Sequence, residues 1–383
     1  MEMVPEDELC VLLARRQLSA EARKRALRLI TGSLSWPRFL ERGRGYEILP
    51  LLFGGLRALD FQGVPDPVRT ELTNIFRVNA MRNEFLAQEL TRLLRLLGDA
   101  GIPVIPLKGI PQATSLYDDP ALRDCSDIDV LVPRRRVIEA FHLVVSAGYE
   151  PLFPQPALVG LRARFGKDYV LTREDRINRY VLDLHCGLLW GGELERGLLE
   201  EIWADACQKT FYDVPAFTLN PDWEFLYLAV HAFKHGRSSL KYLVDLDRFC
   251  FRQAVNWYGV QQKAKRLGWE KAVWSCLSDC VSLFDTPVSS VLYSTDAARK
   301  PGAISVGESE MPGDILSLQL LKSPSEKLRF LAIRFFIPSP DTCEQFPLPP
   351  SLFFVYYALQ PLRIFAKTFA WSLKARLSGV SRT

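Results

Sequence analysis

Residues 104–133, VIPLKGIPQATSLYDDPALRDCSDIDVLVP, decide the fold of this chain. Two short apolar runs frame the stretch, VIPL at 104–107 and IDVLV at 128–132. Runs of this length that are bounded by glycine or proline predict buried strands. The residues between them, 110–117, predict one or two helical turns. The stretch therefore predicts a strand, a short helix and a second strand.

The residues that follow extend this pattern into an α+β fold. Residues 134–148 predict a helix that ends in a glycine. DYVLTRED (168–175) and INRYVLDLHC (177–186) predict two strands joined by a short polar turn. We therefore expect an α/β core with a mixed β-sheet over residues 101–220.

Helical regions flank this core. Apolar residues at helical spacing predict an N-terminal helical region over 1–100 and a helical C-terminal domain over 221–335. Serine, glycine and proline are frequent over 286–326 and predict loops there. Residues 336–383 predict a Pro-rich linker and an aromatic, basic C-terminal helix.

The composition is that of an ordinary folded protein. The chain has 383 residues, a net charge of +4, 48% hydrophobic and 24% charged residues, and two domains are the default at this length. The small net charge excludes a strongly basic nucleic-acid coat, so there is no strong nucleic-acid signal. The eight cysteines lack C-x-x-C spacing and favour reduced thiols in the cytoplasm. The sequence shows neither a secretory signal nor a transmembrane run of about 20 apolar residues.

Asp127 and Asp129, at the start of the second strand, are the candidate catalytic pair. Alternate residues of a strand face the same side, so the two carboxylates repel each other unless a cation lies between them. Oxygen ligands at this spacing suit Mg²⁺, particularly when substrate phosphates complete the shell. Asp183 in a later strand is the third candidate, and His185 points to the same side. Taken alone, an Asp-x-Asp pair also occurs by chance.

Basic and glycine residues near these carboxylates are candidates for binding phosphate. Lys108 and Gly109 follow the first strand, where glycine lets backbone approach a phosphate and lysine supplies a point charge. Arg123, four residues before Asp127, is a second candidate for a phosphate contact. Each has an ordinary alternative, because a Lys-Gly pair often forms a turn and a lone arginine is often a surface residue.

The order of these motifs resembles a known family. LKGI…SLYDDPALRDCSDIDVLVP (107–133), VLDLHCGL (181–188) and HAFKHGRSSLKYLVDLDRF (231–249) are similar to the bacterial nucleotidyltransferase-like family of the polymerase-β nucleotidyltransferase superfamily. The resemblance covers roughly residues 70–250. It implies a nucleotidyltransferase-fold core with a mixed β-sheet.

The resemblance also implies roles for individual residues. Asp127 and Asp129 match the metal-binding pair of the superfamily, and Asp183 matches its third, general-base carboxylate. All three are therefore expected to be catalytic and to bind the metal. Lys108 and Gly109 occupy the place of the superfamily's Gly-Ser phosphate loop.

The reaction implied by the resemblance is nucleotidyl transfer. A nucleoside monophosphate passes from an NTP such as ATP, the co-substrate, to an unidentified hydroxyl or phosphate acceptor, and pyrophosphate is released. Mg²⁺ is the expected cofactor, with Mn²⁺ as a substitute, and the acceptor remains open between a peptide, a protein, a small molecule and an RNA end. Ile110 stands where the superfamily has its loop serine. The alternative is therefore a catalytically inactive binding or scaffold protein of the same fold.

His231, Lys234 and His235 lie on one predicted helix. Histidines at i and i+4 face one side and can bind zinc, but Ala232 replaces the glutamate that a metalloprotease needs there. The resemblance implies that this helix packs over the nucleotide or acceptor. Lys234, His235 and the strand residue His185 are then nucleotide or phosphate contacts. The alternative is a helix whose histidines only pack against the core.

The C-terminal segment is rich in aromatic residues and has no acidic residue after Glu344. A basic, aromatic, amphipathic helix can lie on a membrane surface. The alternative, which the sequence favours, is a helix that packs on the protein through its aromatic residues. The partners expected from the sequence are therefore an NTP and an acceptor, with peripheral membrane contact as a further hypothesis.

Overall fold

A computed structural model of the chain describes residues 3–153, 155–190, 195–235, 239–287 and 313–377. Two compact units are present: Met1–Val130 with Glu200–Leu321, and Leu131–Leu199 with Lys322–Thr383. None of the described helices is both long enough and apolar enough to cross a membrane.

The secondary structure is mixed, with helices on both sides of the strands in the sequence. The helices, in chain order, are α1 (Pro5–Ala14), α2 (Ala20–Ile30), α3 (Trp36–Gly45), α4 (Leu49–Arg57), α5 (Asp66–Asp99), α6 (Ile110–Leu116), α7 (Val137–Ser146), α8 (Pro156–Phe165), α9 (Arg196–Ala204), α10 (Pro221–Lys234), α11 (Leu240–Arg252), α12 (Trp257–Leu267), α13 (Glu270–Phe284), α14 (Gly313–Gln319), α15 (Pro324–Phe336), α16 (Pro340–Gln345) and α17 (Tyr356–Leu377). The strands are β1 (Ile105–Pro106), β2 (Ile128–Leu131), β3 (Glu150–Pro151), β4 (Asp168–Glu174), β5 (Arg179–His185), β6 (Cys207–Phe211) and β7 (Val214–Thr218). The main sheet has the order β1-β2-β5-β4-β3, and β6 and β7 form a separate hairpin.

In the first unit, the long helix α5 is amphipathic and supplies much of the core. Its leucines at 86, 90, 93, 94 and 97 recur at helical spacing and are buried. Proline in its first turn suits the start of a helix. Gly101, just past its end, has a positive φ of 66°. Gly101 therefore follows the end of the helix and lets the chain turn into β1.

Two strands of the first unit carry or border candidate site residues: Lys108 follows β1, and Asp129 lies within β2. The backbone N–H of Leu107 donates to the carbonyl of Asp129 at 3.0 Å, which aligns the end of β1 with β2. The N–H of Phe217 in β7 donates to the carbonyl of Val104 at 2.9 Å. The predicted strand, short helix and strand over 104–132 are present as β1, α6 and β2.

In the second unit, β3, β4 and β5 form an antiparallel meander. In the pairing of β4 with β5, Val170 lies opposite Asp183, and Asp168 lies opposite His185. The N–H of Val132, just after β2, donates to the carbonyl of His185 at 3.0 Å. The fold class predicted from the sequence is confirmed: the chain is α+β, with a mixed five-stranded sheet and helical flanks.

One prediction about the chain is wrong. Within the segment 286–326, predicted to form loops, residues 313–319 form α14; Leu316 in this helix and Leu320 directly after it are buried. Residues 288–312 of that segment lie outside the described residues. The hairpin β6–β7 and the helix α8 were not predicted. The domain boundaries at 100, 220 and 335 stay predictions.

Candidate functional site

In the first unit, Lys108 lies between Asp127, directly before β2, and Asp129, within β2. Its Nζ is 2.9 Å from Oδ2 of Asp129 and 3.7 Å from Oδ2 of Asp127. The Asp129 side chain is fully buried, whereas 31% of the Asp127 side chain is exposed. The three side chains therefore form a charged group that is closed on the Asp129 side and open at Asp127.

The electrostatics of this group keep Lys108 protonated. Burial lowers the pKa of Lys108, but the negative charge of Asp129, together with Tyr227 and Asp127, more than offsets it. The pKa of the ammonium therefore lies above its usual range. A protonated lysine beside two carboxylates is a fixed positive charge that can also face an anionic substrate.

Gly109 gives the turn after Lys108 a shape that other residues resist. Its φ of 79° and ψ of −117° lie in a region open essentially only to glycine. A Cβ at this position would lie 3.3 Å from the carbonyl oxygen of Asp127. The turn therefore passes close to the backbone of the aspartate strand because residue 109 has no side chain.

Gln112 and Glu224 support the turn at Lys108 and Gly109 through hydrogen bonds. Nε2 of Gln112, on α6, donates to the carbonyl of Leu107 at 2.8 Å and to Oε1 of Glu224, on α10, at 3.0 Å. Burial raises the pKa of Glu224 to about 7, although the bond from Gln112 and the charge of Lys209 lower it. Neither residue was predicted, because nothing local in the sequence links α6 to α10.

Arg123 forms a buried ion pair in the first unit. Its Nη2 donates to Oδ2 of Asp245, on α11, at 2.8 Å, and its Nε donates to both oxygens, at 3.0 and 3.2 Å. The hydroxyl of Tyr117 donates to Oδ1 of the same carboxylate at 2.8 Å. The Arg123 side chain is only 4% exposed. Its predicted role in binding phosphate stays a prediction, while its contacts fasten the segment before Asp127 to α11.

Two asparagines of α5 hold the same segment from another side. Nδ2 of Asn79 donates to the carbonyls of Ala121 and Arg123 at 2.8 and 2.9 Å. Nδ2 of Asn83 donates to the carbonyls of Pro120 and Arg123, both at 2.9 Å. Both asparagines are buried and polar on an otherwise apolar face. That departure from the helical pattern is the signal that could have identified them.

In the second unit, Asp183 and His185 occupy alternate positions of β5. Their side chains therefore point to the same face of the strand. His185 is buried, and its Nδ1 lies 3.2 Å from the carbonyl oxygen of Gly187. With the proton assigned to Nδ1, that contact is a hydrogen bond and Nε2 is the ring atom able to bind a metal.

Asp129 in the first unit, and Asp183 and His185 in the second, are side chains of the types that bind metal ions. Two carboxylates with one imidazole offer oxygen and nitrogen ligands, and the oxygens suit a hard divalent cation. The metal-binding roles of Asp127, Asp129 and Asp183 all stay predictions.

The histidines of α10 belong to a cluster of rings in the first unit. The ring centres of His231 and His235 are 4.5 Å apart, and the ring of Tyr242, on α11, lies 4.9 and 5.1 Å from them. Burial raises the pKa of Tyr242 to about 12. The charge of Asp127 also raises this pKa, whereas the charge of Lys108 lowers it. Tyr242 was not predicted. The phosphate-binding roles of Lys234 and His235 stay predictions.

Three comparisons with known proteins bear on this site. A family model described as "Uncharacterised nucleotidyltransferase" matches residues 32–285, which contain every candidate site residue. No curated protein sequence matches the chain. Among solved structures, an antigenic nucleotidyltransferase-like protein from Paracoccidioides brasiliensis is similar to it, with 12% identity and a TM-score of 0.37. That match covers 55% of this chain and 97% of the other.

Proposed function

The chain belongs to the uncharacterised nucleotidyltransferase family, and from that premise we propose that it transfers a nucleoside monophosphate from an NTP to an acceptor, with Mg²⁺ as its metal. The acceptor offers a hydroxyl or a phosphate, and pyrophosphate is the second product. Mn²⁺ is the proposed substitute for Mg²⁺. The cytoplasm, where all eight free cysteines would stay reduced, is the proposed compartment.

One observation carries this proposal. The protonated Lys108 lies 2.9 Å from Asp129 and 3.7 Å from Asp127, at a turn that Gly109 brings close to the strand. A metal bound to the aspartates and a triphosphate beside the lysine would use opposite charges that are already in position. Such prearranged charge is the main source of rate enhancement in phosphoryl-group transfer.

The residues fit a divalent metal. We propose that Asp127, Asp129 and Asp183 hold it, because carboxylate oxygens are the preferred ligands of Mg²⁺. When bound, the ion neutralises charge on the phosphates and aligns the attacking and leaving oxygens. His185 lies beside Asp183 on the same face of β5 and is proposed to contact the nucleotide.

The transfer itself exchanges one bond to the α-phosphorus for another. The acceptor oxygen bonds to the α-phosphorus, and the bond from phosphorus to the oxygen bridging to the β-phosphate breaks. Pyrophosphate leaves with that electron pair. For a hydroxyl acceptor, Asp183 accepts the proton, while Lys108 and the backbone at Gly109 hold the phosphates of the leaving group.

The remaining residues predicted to contact phosphate are Lys234, His235 and Arg123. We propose that Lys234 and His235, on the exposed end of α10, contact the nucleotide or the acceptor. For Arg123 the contacts favour a positioning role, because its guanidinium already binds Asp245. A peptide and a small molecule are both proposed as acceptor classes.

The decisive experiment is titration of the purified protein with each of the four NTPs, with and without Mg²⁺. We expect Mg²⁺-dependent binding heat that falls at least about a hundredfold in affinity for Asp127→Asn and Asp129→Asn, because each loses a charged ligand. The matched control is Asp124→Asn, whose carboxylate lies on the same segment but binds Arg82 at 2.7 Å. Pyrophosphate release after addition of fractionated cell extract would then identify the acceptor.

One observation favours a second function, a binding protein without turnover. Ile110, at the position of the superfamily's serine, is buried and brings no hydroxyl to the turn. NTP binding without pyrophosphate release in any extract fraction would support this alternative. Absence of NTP binding with either Mg²⁺ or Mn²⁺ would contradict the nucleotidyl-transfer proposal itself.

A further inference from the structure

The C-terminal helices α15 and α17 expose large apolar side chains in the second unit. Leu328 on α15 is 70% exposed, and Leu362 and Phe365 on α17 are 67% and 70% exposed. Phe354, in the turn before α17, is 68% exposed. α15 and α17 pack against each other. A concentration of exposed apolar side chains marks a contact surface rather than ordinary solvent-facing residues.

Helix α17 packs on its own unit through apolar and polar residues. Tyr356 is fully buried in a cluster with Leu158 and Cys343. Nε2 of Gln360 donates to the carbonyl of Arg334 at 2.9 Å, and Nε of Arg363 donates to Oγ1 of Thr342 at 2.7 Å. Leu362 and Phe365 lie on the opposite side of the helix. Both kinds of contact hold α17 in place, while Leu362 and Phe365 face outward. The outer side of a helix that faced only water would be polar instead.

Helix α15 presents a similar face. Phe330 is its buried residue, whereas Leu328 and Leu331 lie on the other side and are exposed. Lys327 and Arg329, also exposed, flank Leu328 on either side of this apolar strip. Long basic side chains at the edges of an apolar strip can reach outward to anionic groups.

The charge of the segment identifies the partner. After Glu344 the chain has no acidic residue, and its basic residues are Arg363, Lys367, Lys374, Arg376 and Arg382. Two copies of this segment would bring like charges together, which opposes self-association. An anionic lipid surface offers an apolar interior for the leucine and phenylalanine side chains and negative headgroups for the lysines and arginines.

We propose that the face formed by Leu328, Leu331, Phe354, Leu362 and Phe365 docks on an anionic membrane surface. The two helices lie in the plane of the interface, with these five side chains inserted at the boundary between headgroups and acyl chains. Lys327 and Arg329 contact the headgroups. These five residues lie beyond the family match, which ends at residue 285, and none of them is proposed to bind the nucleotide or the metal.

Vesicle flotation with the full-length protein tests this proposal. The vesicles contain phosphatidylcholine alone or with about 30% phosphatidylserine, a content typical of anionic membranes. We expect the protein to float with the anionic vesicles, and to bind neutral vesicles at least about tenfold more weakly. High salt should release it, since screening weakens the charge term.

The matched variants separate this face from general hydrophobicity. Leu362→Gln with Phe365→Gln should weaken anionic-vesicle binding at least about tenfold, without change in thermal midpoint because both side chains are exposed. The control, Val78→Gln with Met81→Gln, alters two residues of α5 that are 63% and 61% exposed and should bind like the wild type. Equal binding by both double variants, or no binding to anionic vesicles, would overturn the proposal. Self-association that only Leu362→Gln with Phe365→Gln abolishes would assign the face to a second copy instead.

Discussion

Two ion pairs of the first unit, only a few residues apart in sequence, are built in different ways. Arg123 and Asp245 are 4% and 2% exposed, and the guanidinium binds both carboxylate oxygens. Tyr117 donates a further bond to that carboxylate. Lys108 instead serves two carboxylates with one ammonium, and Asp127 remains 31% exposed.

The difference separates a positioning pair from a binding group. A bidentate arginine in a buried pair has its donors committed, so exchange for a ligand would leave a buried charge unpaired. A lysine shared by two carboxylates carries less positive charge than its partners carry negative charge. A divalent cation at the open side would correct that imbalance. The predictions below test this distinction, from the largest expected effect to the smallest.

The largest effect is expected from breaking the buried pair. Arg123→Met leaves the Asp245 carboxylate buried without its cation, and the free energy of unfolding should fall by about 3–5 kcal/mol. Urea denaturation followed by circular dichroism measures this loss. Arg82→Met is the matched control, because Arg82 pairs with Asp124 at 2.7 Å but is 44% exposed. It should cost less than about 1 kcal/mol.

Equal losses for Arg123→Met and Arg82→Met would contradict the positioning role of Arg123. A second measurement is the split between KM and kcat once turnover is established. A positioning residue should lower kcat through Asp127 and Asp129 while leaving the affinity for NTP largely intact. A selective loss of NTP affinity would return Arg123 to phosphate binding.

The second prediction concerns Lys108. Lys108→Met removes the ammonium from two neighbouring carboxylates, one of them buried, and should destabilise the metal-free protein by about 2–3 kcal/mol. Mg²⁺ should restore much of that loss, because binding to the folded state stabilises it. Thermal midpoints in EDTA and in Mg²⁺ measure both effects. Arg123→Met is the control, since it should shift with Mg²⁺ no more than the wild type does.

A Lys108→Met variant that Mg²⁺ does not stabilise would contradict metal binding at the aspartates. The stability loss alone would then be explained by the missing lysine contact. The comparison is informative because both variants replace a cation with methionine. Only the open group is expected to respond to a metal ion.

The sequence predicted those parts of the fold and site that depend on local patterns. Strands β1 and β2 follow from short apolar runs, and strand alternation predicts one face for Asp127, directly before β2, and Asp129 within it. The pairing of Arg123 with Asp245 joins residues 122 positions apart, and no local pattern specifies which distant carboxylate an arginine meets.

The missed hairpin β6–β7 has a different cause. Its turn residues, Tyr212 and Asp213, both have positive φ, at 43° and 62°. Such turns are usually recognised by asparagine or glycine, and neither stands here. For α14, serine and glycine content pointed to loops, whereas the spacing of Leu316 and Leu320 is the helical signal. The types of residue present were therefore a poor guide to local structure in both segments.

The third prediction concerns Gly109. Gly109→Ala places a side chain at φ 79° and ψ −117°, which should destabilise the protein by about 1–3 kcal/mol. The new Cβ also presses on the carbonyl of Asp127, so Mg²⁺-dependent NTP affinity should fall as well. Calorimetry and urea denaturation measure the two effects. Gly98→Ala is the control, because nothing lies within 4 Å of a Cβ there, and a helical alanine should stabilise slightly.

The smallest effect is expected at Glu224. Its carboxyl group extends the comparison to a case without a close cation. Burial raises the pKa of Glu224 from its usual 4.5 to about 7, and the bond from Gln112 and the charge of Lys209 only partly oppose this. The folded protein therefore holds a proton that the unfolded chain has already released between these pH values. Its stabilising contribution is complete below pH 4.5 and is lost as the pH rises through about 7.

Glu224→Gln keeps the hydrogen bond from Gln112 and removes the titration. Relative to this variant, the wild type should lose about 1–2 kcal/mol between pH 4.5 and pH 7. Urea midpoints across that range measure the difference, with the exposed Glu200→Gln as control. Parallel pH profiles for wild type and Glu224→Gln would show that the carboxyl finds a compensating cation. In that case the turn at Lys108 would be supported by charge rather than by the neutral Gln112–Glu224 bond. Three carboxyl groups then form a series: Asp245 with a bidentate arginine, Asp129 with a shared lysine and Glu224 with an amide. Along it, the weaker the compensation of a buried carboxyl, the more its state depends on pH or on an added cation.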